Sequence, residues 1–323
     1  MRPEIKRILF AQNAAVIDQQ RQLVTDRLRE ALGAQVEFAS QPGDLALGST
    51  FDAVIAPTVA WLPELLGRIE GTPWVHFLSS GVEKIWAMDV DWAQYTLTSS
   101  KGVHAIPISE YVLGAMLHFA KRFDQFTSQA REGVWERAWL PELTDAQVVI
   151  VGAGSIGREV ASRCRFLGMQ IQAVARTART DADLGNVLDF AQLSQAAASA
   201  DYLVVAVPLT AETAGLVGED VLSSTKQGAV LIDVSRGGVV SEDAVVSALA
   251  SGILRGAALD VFEEEPLSAG SQLWGRPNVL ITPHVAGTTP RYIERALDVF
   301  VANAERLVAG QEPATFIDAS QGY

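Results

Sequence analysis

Residues 147–168 place the tightest limits on how this chain folds. Val148 to Val151 is a short apolar, β-branched run, which suits a strand buried on both faces. It runs directly into Gly152-x-Gly154-x-x-Gly157, and a helical pattern follows with Ile156, Val160, Cys164 and Leu167 on one stripe. Strand, glycine turn and helix in that order form the setting that a dinucleotide fingerprint requires. Gly152 permits the tight turn, Gly154 lets backbone approach a pyrophosphate, and Gly157 lets helix and strand pack closely. The first helical turn, at Ser155 and Ile156, offers free N–H groups to the phosphates. A bare match could arise by chance in a chain with 26 glycines, but the flanking strand and helix favour the cofactor reading.

At 323 residues the chain is long for a single core, so two domains are expected. Apolar residues at 49% and charged residues at 20% point to a globular chain rather than a disordered one. No apolar run reaches membrane-spanning length, and Met1-Arg-Pro-Glu-Ile-Lys-Arg lacks the apolar core of a signal peptide. The single cysteine, Cys164, excludes an internal disulfide and fits a reducing compartment, so a cytoplasmic location is expected. Its place on the apolar stripe predicts a packing role. Four histidines and one cysteine give no metal-ligand cluster at useful spacing, so no metal is expected. A net charge of −13 argues against nucleic acid or an anionic membrane as partner. An anionic substrate would then need a local arginine cluster to overcome the global repulsion.

Short strands are expected at residues 7–12, Val36 to Ala39, Ala53 to Ala56 and Trp74 to Leu78. A helix is expected from Gln19 to Leu32, stopped by Gly33, and another around Trp61–Leu66. Alternating β and α elements indicate a parallel sheet covered on both faces. After Thr98-Ser-Ser-Lys-Gly102 a long helix is expected from Ile108 to Phe123, capped by Ser109, with Tyr111, Ala115, His118 and Phe119 along one face. Residues Phe126–Trp139 then lead into the fingerprint strand, with Trp135 and Trp139 read as packing or dimer-contact residues. Further strands are expected near Ile171–Val174, Tyr202–Ala206, Ala229–Asp233, Gly256–Leu259 and Val279–Ile281, with helices near Asp189–Ala198, Ser241–Ser251 and Pro290 to Val308.

In NAD-binding versions of the fingerprint an acidic residue about 20 residues past the glycines accepts hydrogen bonds from the ribose 2′-hydroxyl. Here the second strand ends in Val174-Ala175-Arg176-Thr177-Ala178-Arg179-Thr180, with no carboxylate and two arginines. A 2′-phosphate repels a carboxylate and attracts a guanidinium fork, so NADP(H) is favoured over NAD(H). Asp181 and Asp183 keep NAD(H) as the alternative.

Three later residues follow buried strands: Arg236 in Asp233-Val-Ser-Arg-Gly-Gly, Glu265 in Leu259-Asp-Val-Phe-Glu-Glu-Glu-Pro, and His284 in Thr282-Pro-His-Val-Ala-Gly. Ligands of open α/β sheets bind outside the carboxyl ends of the strands, so all three could converge near a nicotinamide. Their types suit hydride transfer to a 2-oxo acid. Arginine binds the substrate carboxylate and polarises the adjacent carbonyl, and histidine gives or takes the proton. A carboxylate beside that histidine favours its imidazolium form.

These motifs, with Ser80-Gly81-Val82, Gly102-Val-His-Ala-Ile-Pro-Ile-Ser-Glu110-Tyr and Val207-Pro208-Leu-Thr, make the chain resemble the D-isomer-specific 2-hydroxyacid dehydrogenases of the glyoxylate/hydroxypyruvate reductase kind. The resemblance implies two doubly wound parallel-sheet α/β domains, a Rossmann cofactor domain (99–289) inserted into a flavodoxin-like substrate domain (1–98 plus 290–323). It implies Arg236, Glu265 and His284 as the catalytic set, with backbone N–H contacts to the substrate carboxylate from Ser80 and Gly81. It implies cofactor contacts at Gly152, Gly154, Ser155, Ile156, Gly157, Arg176, Thr177, Arg179, Val207, Pro208, Thr213, Val234, Ser235, Asp260, His284 and Gly287. A homodimer formed through the cofactor domain is also implied. The loop Val82-Glu83-Lys84 departs from the Val-Asp-Asn or Val-Asp-His of many relatives, which leaves the substrate contacts there open. Glutamate rather than glutamine at 265 points away from formate dehydrogenase. The alternatives are an NAD-linked, phosphoglycerate-like dehydrogenase and a nucleotide-sensing corepressor-like binding protein.

Overall fold

Each central strand is a run of apolar side chains buried on both faces, so each crossover must return across the sheet to cover it. The computed structural model describes residues 4–81 and 83–319, and the chain divides into two compact units, Met1–His104 with Thr289–Tyr323, and Ala105–Thr288.

The first unit runs β1 (Arg7–Ala11), α1 (Ala14–Leu32), β2 (Gln35–Ala39), β3 (Ala53–Ala56), α2 (Leu62–Leu66), β4 (Trp74–Phe77) and β5 (Leu97–Ser99). Its sheet is parallel throughout, in the order β2-β1-β3-β4-β5, which is the flavodoxin-like arrangement. Alternation along β1 separates two cores: Ile8 and Phe10 face one layer, Leu9 and Ala11 the other. The helix α1 starts where Asn13 accepts the Val16 N–H at 3.0 Å and stops at Gly33, whose φ of 64° is left-handed.

The second unit runs α3 (Ala105–Ala120), α4 (Phe123–Glu132), β6 (Gln147–Val151), α5 (Ser155–Phe166), β7 (Gln170–Ala175), β8 (Arg179–Asp181), β9 (Gly185–Asp189), α6 (Leu193–Ala197), β10 (Tyr202–Val205), α7 (Glu219–Ser224), β11 (Ala229–Asp233), α8 (Glu242–Ala250), β12 (Leu254–Leu259) and β13 (Val279–Ile281). The strand order is β13-β12-β11-β10-β6-β7-β9-β8, parallel except for β8 against β9. With β6 as first strand this is the Rossmann order, extended by β13 at one edge and by the antiparallel β8 at the other. The last helix, α9 (Tyr292–Val308), belongs to the first unit, where Phe300 stacks on Trp74 at 4.3 Å between ring centroids.

Two local expectations are corrected. Ser109 lies buried inside α3 with its hydroxyl donating to the Ile106 carbonyl at 2.8 Å, so it does not cap the helix. The helix expected over 108–123 ends at Ala120, and Arg122 (φ 52°) turns the chain into the separate α4. The first unit runs on through His104, with Leu97–Ser99 pairing with β4 in its sheet.

Candidate functional site

Register brings the loops of the second unit to one edge. Val151 pairs with Val174 on one side and Val205 on the other. Val205 is level with Asp233, Asp233 with Leu259, and Leu259 with Ile281. The carboxyl ends of six adjacent strands therefore form one rim, and the sheet order reverses at β6, where a crevice opens.

At that point the backbone is packed so that only glycine fits. Gly152 has φ 125°, and a Cβ there would lie 2.4 Å from the Ala206 carbonyl oxygen. A Cβ on Gly157 would lie 1.9 Å from the Gly152 oxygen, so α5 sits directly on the turn. Gly154 differs, because nothing lies within 4 Å of its missing Cβ. It opens α5 without a side-chain cap, leaving the first-turn N–H groups of Ser155, Ile156 and Gly157 without intrahelical acceptors. Open space beside unsatisfied donors at a helix N-terminus fits a dinucleotide pyrophosphate.

Next to the turn, Arg176 is exposed and its Nε lies 2.8 Å from Glu212 Oε2. Asp181 is not available to a ribose. Its Oδ1 accepts from Arg158 Nη1 (2.5 Å) and from the N–H groups of Asp183 (3.0 Å) and Leu184 (3.2 Å), and its Oδ2 accepts from Arg158 Nη2 at 2.6 Å. The Arg158 hydrogen bonds lead the effects holding this carboxyl well below the usual carboxylate range. Asp181 thus ties the β8–β9 hairpin to α5. Arg158 escaped the sequence reading, although its place directly after Gly157, with an acidic pair 23 and 25 residues on, was a usable signal. Thr177 and Arg179 are exposed beside it, whereas Val207 and Thr213 are buried. The Thr213 hydroxyl donates to the Pro208 carbonyl at 2.6 Å and so closes the 208–213 turn.

Arg236, Glu265 and His284 emerge from β11, β12 and β13, three neighbouring strands of the rim. The loop carrying Arg236 is pressed onto the loop carrying Glu265, and a Cβ on Gly237 would lie 1.7 Å from the Phe262 oxygen. Glu265 Oε2 lies 2.9 Å from His284 Nδ1, and its Oε1 accepts the Phe262 N–H at 3.2 Å. Burial pushes the Glu265 carboxyl upward, but the His284 hydrogen bond, the Phe262 N–H and the charges of His284 and Arg236 outweigh it, and the net direction is down. The Arg236 charge therefore reaches the pair, while its Nη1 donates to the Ser235 carbonyl at 2.7 Å. The side chain of His284 is 47% exposed, and its Nε2 has no protein partner among the described residues. A cavity of about 550 Å³ lies beside the pair, walled by Phe262, Pro266, Leu267, Trp274 and Ile281.

Two buried carboxylates hold these loops. Asp233 accepts from the Ser235 N–H (3.0 Å) and hydroxyl (2.5 Å), fixing the turn before Arg236, and burial pushes its pKa up to about 7. Asp260 accepts from Thr282 Oγ1 (2.5 Å) and from the N–H groups of Val285 and Ala286 (both 2.9 Å). The His284 N–H donates to the Asp260 carbonyl at 2.9 Å. Those bonds surround a residue with φ 54°, a conformation that costs about 1–3 kcal/mol unless its neighbours enforce it. Tyr111 on α3 adds a hydrogen bond of 2.8 Å to Thr282. Gly287 also makes a contact of its own.

Ser80 and Gly81 belong to the first unit, in the loop after β4, where the Ser80 hydroxyl donates to the Ser100 carbonyl at 2.9 Å. Val82 lies outside the described residues. The other histidines sit elsewhere. His76 is buried between Thr98 and Ser100, burial lowers its pKa to about 3, and it is neutral at physiological pH. His104 stacks on Tyr292 at 5.3 Å, and His118 meets Phe119 edge-on at 5.0 Å. Trp135 and Trp139 are 96% and 100% exposed, so neither packs within this chain.

Residues 113–286 match the family model described as the NAD binding domain of D-isomer specific 2-hydroxyacid dehydrogenase. The chain belongs to that family. It is 32% identical over 307 residues to the glyoxylate/hydroxypyruvate reductase A of Serratia proteamaculans (strain 568), covering 90% of this chain and 92% of the relative. A D-isomer specific 2-hydroxyacid dehydrogenase from Xanthobacter autotrophicus Py2, solved in complex with NADPH and MES, is 28% identical with a TM-score of 0.77 over 99% of this chain and 100% of that one. A family member from Aeromonas salmonicida subsp. salmonicida A449 is 29% identical with a TM-score of 0.78, over 97% and 99% of the two chains. As a D-2-hydroxyacid dehydrogenase, the chain is an NAD(P)-dependent oxidoreductase with two doubly wound α/β domains.

Proposed function

We propose that this dehydrogenase works as an NADPH-dependent reductase of small 2-oxo acids, glyoxylate and hydroxypyruvate foremost, yielding D-2-hydroxy acids. The observation that carries the reading is the Glu265–His284 pair at 2.9 Å, on the strand rim and within reach of the Arg236 charge. Bound nicotinamide supplies the hydride. Arg236 grips the substrate carboxylate and polarises the neighbouring carbonyl. His284 delivers a proton from Nε2 to the carbonyl oxygen, and Glu265 at Nδ1 favours the imidazolium and fixes the ring. Ser235, Asp260 and Gly287 line the cofactor side. The choice of NADP(H) is supported by Arg158, which holds both oxygens of Asp181, and by Arg176 and Arg179, which stand exposed for a 2′-phosphate. The Xanthobacter relative binds NADPH. A cytoplasmic homodimer is part of the same proposal, with exposed Trp135 and Trp139 in the cofactor unit as candidate contacts.

Mixing the protein with NADPH and a panel of 2-oxo acids tests the reading, followed at the reduced-nicotinamide absorbance. Glyoxylate and hydroxypyruvate should be consumed fastest. In His284→Ala turnover should fall by roughly 10²–10⁴ with NADPH affinity nearly intact. No oxidation of NADPH across the panel, or full turnover in that variant, would overturn it.

A further inference from the structure

The two arginines after β7 are held in different ways. Arg179 lies 3.7 Å from Asp181, whose oxygens are already taken by Arg158 and two backbone N–H groups. Among the described residues Arg176 is held by Glu212 alone, an ion pair of 2.8 Å between side chains 60% and 58% exposed. Its position is unusual. β7 and β10 flank β6 on opposite sides, Arg176 directly follows β7, and Glu212 stands in the loop after β10. The pair therefore spans the carboxyl end of β6, where the chain enters the Gly152 turn, and closes over the adenosine end of the crevice.

An exposed pair of this kind is weak and screened by salt. A phosphate monoester, with about −1.5 to −2 charge and three acceptor oxygens, is a stronger partner for one guanidinium than a single carboxylate. We infer that Glu212 is a placeholder anion: it holds Arg176 across the crevice and must yield the guanidinium before the adenosine 2′-phosphate of NADP(H) can take it. This inference rests on the proposed NADP(H) reading. It makes Glu212 a residue that sets dinucleotide preference by weakening the phosphorylated cofactor, and removing its charge should sharpen the preference.

Calorimetric titration of the full chain with adenosine 2′,5′-bisphosphate and with AMP tests it in wild type, Glu212→Gln, Arg176→Ala and the double variant. Glu212→Gln should tighten the bisphosphate roughly three- to ten-fold at about 50 mM salt, with the gain shrinking at about 0.5 M. AMP should stay within about two-fold, and the gain should vanish when Arg176 is already alanine. Unchanged or weaker bisphosphate binding in Glu212→Gln overturns the placeholder, as does a gain that survives without Arg176. If Arg176→Ala still loses the bisphosphate selectively, only the placeholder has failed. If it loses bisphosphate and AMP equally, the NADP(H) reading falls, and the placeholder with it.

Discussion

His284 and Arg236 reach their positions because two buried aspartates, neither of them in the proposed proton path, restrain the turns around them. Asp233 has a measurable cost. Its folded-state pKa is raised to about 7 from an ordinary 3.8 by burial, so ionising it in place is unfavourable. The penalty is absent below pH 4, grows as pH rises, and is complete above about 7. Asp233→Asn keeps an oxygen for the Ser235 donors and removes the titration. Urea unfolding at pH 5 and pH 8 should therefore show wild type losing roughly 2–3 kcal/mol across that interval from this group, and the variant losing much less. An equal pH dependence in both proteins would show that Asp233 ionises without penalty. Glu265 runs the other way. Its pKa is lowered, so its contribution is present above the ordinary carboxylate range and is lost only as pH falls through the lowered value.

The glycines divide at the scale of the element into those that let segments meet and one that leaves room. Gly237→Ala drives a methyl into the Phe262 carbonyl at 1.7 Å and must separate the Arg236 and Glu265 loops. It should lower the melting temperature by several degrees and reduce kcat sharply. Gly154→Ala meets nothing within 4 Å, so thermal unfolding without cofactor should barely change, while NADPH affinity falls by about ten-fold or more in titration. A large loss of stability in Gly154→Ala would contradict the open space beside the turn. The same division explains what was legible. Strands such as Ala229–Asp233 and Ala53–Ala56 match their expected bounds, because a strand buried on both faces must be written in apolar residues. Missed were β5, the β8–β9 hairpin and α7, which are short or carry polar and charged residues, and α4, which buries none of its side chains. Arg236, Glu265 and His284 stood out through their places after strands. The Gly237 contact depends on a distance across the fold that no local pattern encodes, whereas the Arg158–Asp181 clamp was marked only by the spacing of its residues.

The whole molecule carries a net charge of −13, yet its proposed cofactor and substrates are anions. Binding must therefore rely on local donors, the α5 N-terminus and arginines 176, 179 and 236, against the mean field. NADPH at about 100 times its Kd should stabilise the protein by roughly 2.7 kcal/mol. Hydrogen exchange should then slow in 152–158, 176–184 and 206–213 without substrate present. Protection confined to 4–81 would place the dinucleotide in the wrong unit. Cys164 has a consequence at this scale as well. It is the chain's only thiol, fully buried against Met116, and burial pushes its pKa up to about 12. A maleimide dye will pass it by, so cysteines introduced one per unit can carry a fluorophore pair without first stripping the native sulfur. The wild-type sequence is thus ready for single-molecule distance measurements during turnover.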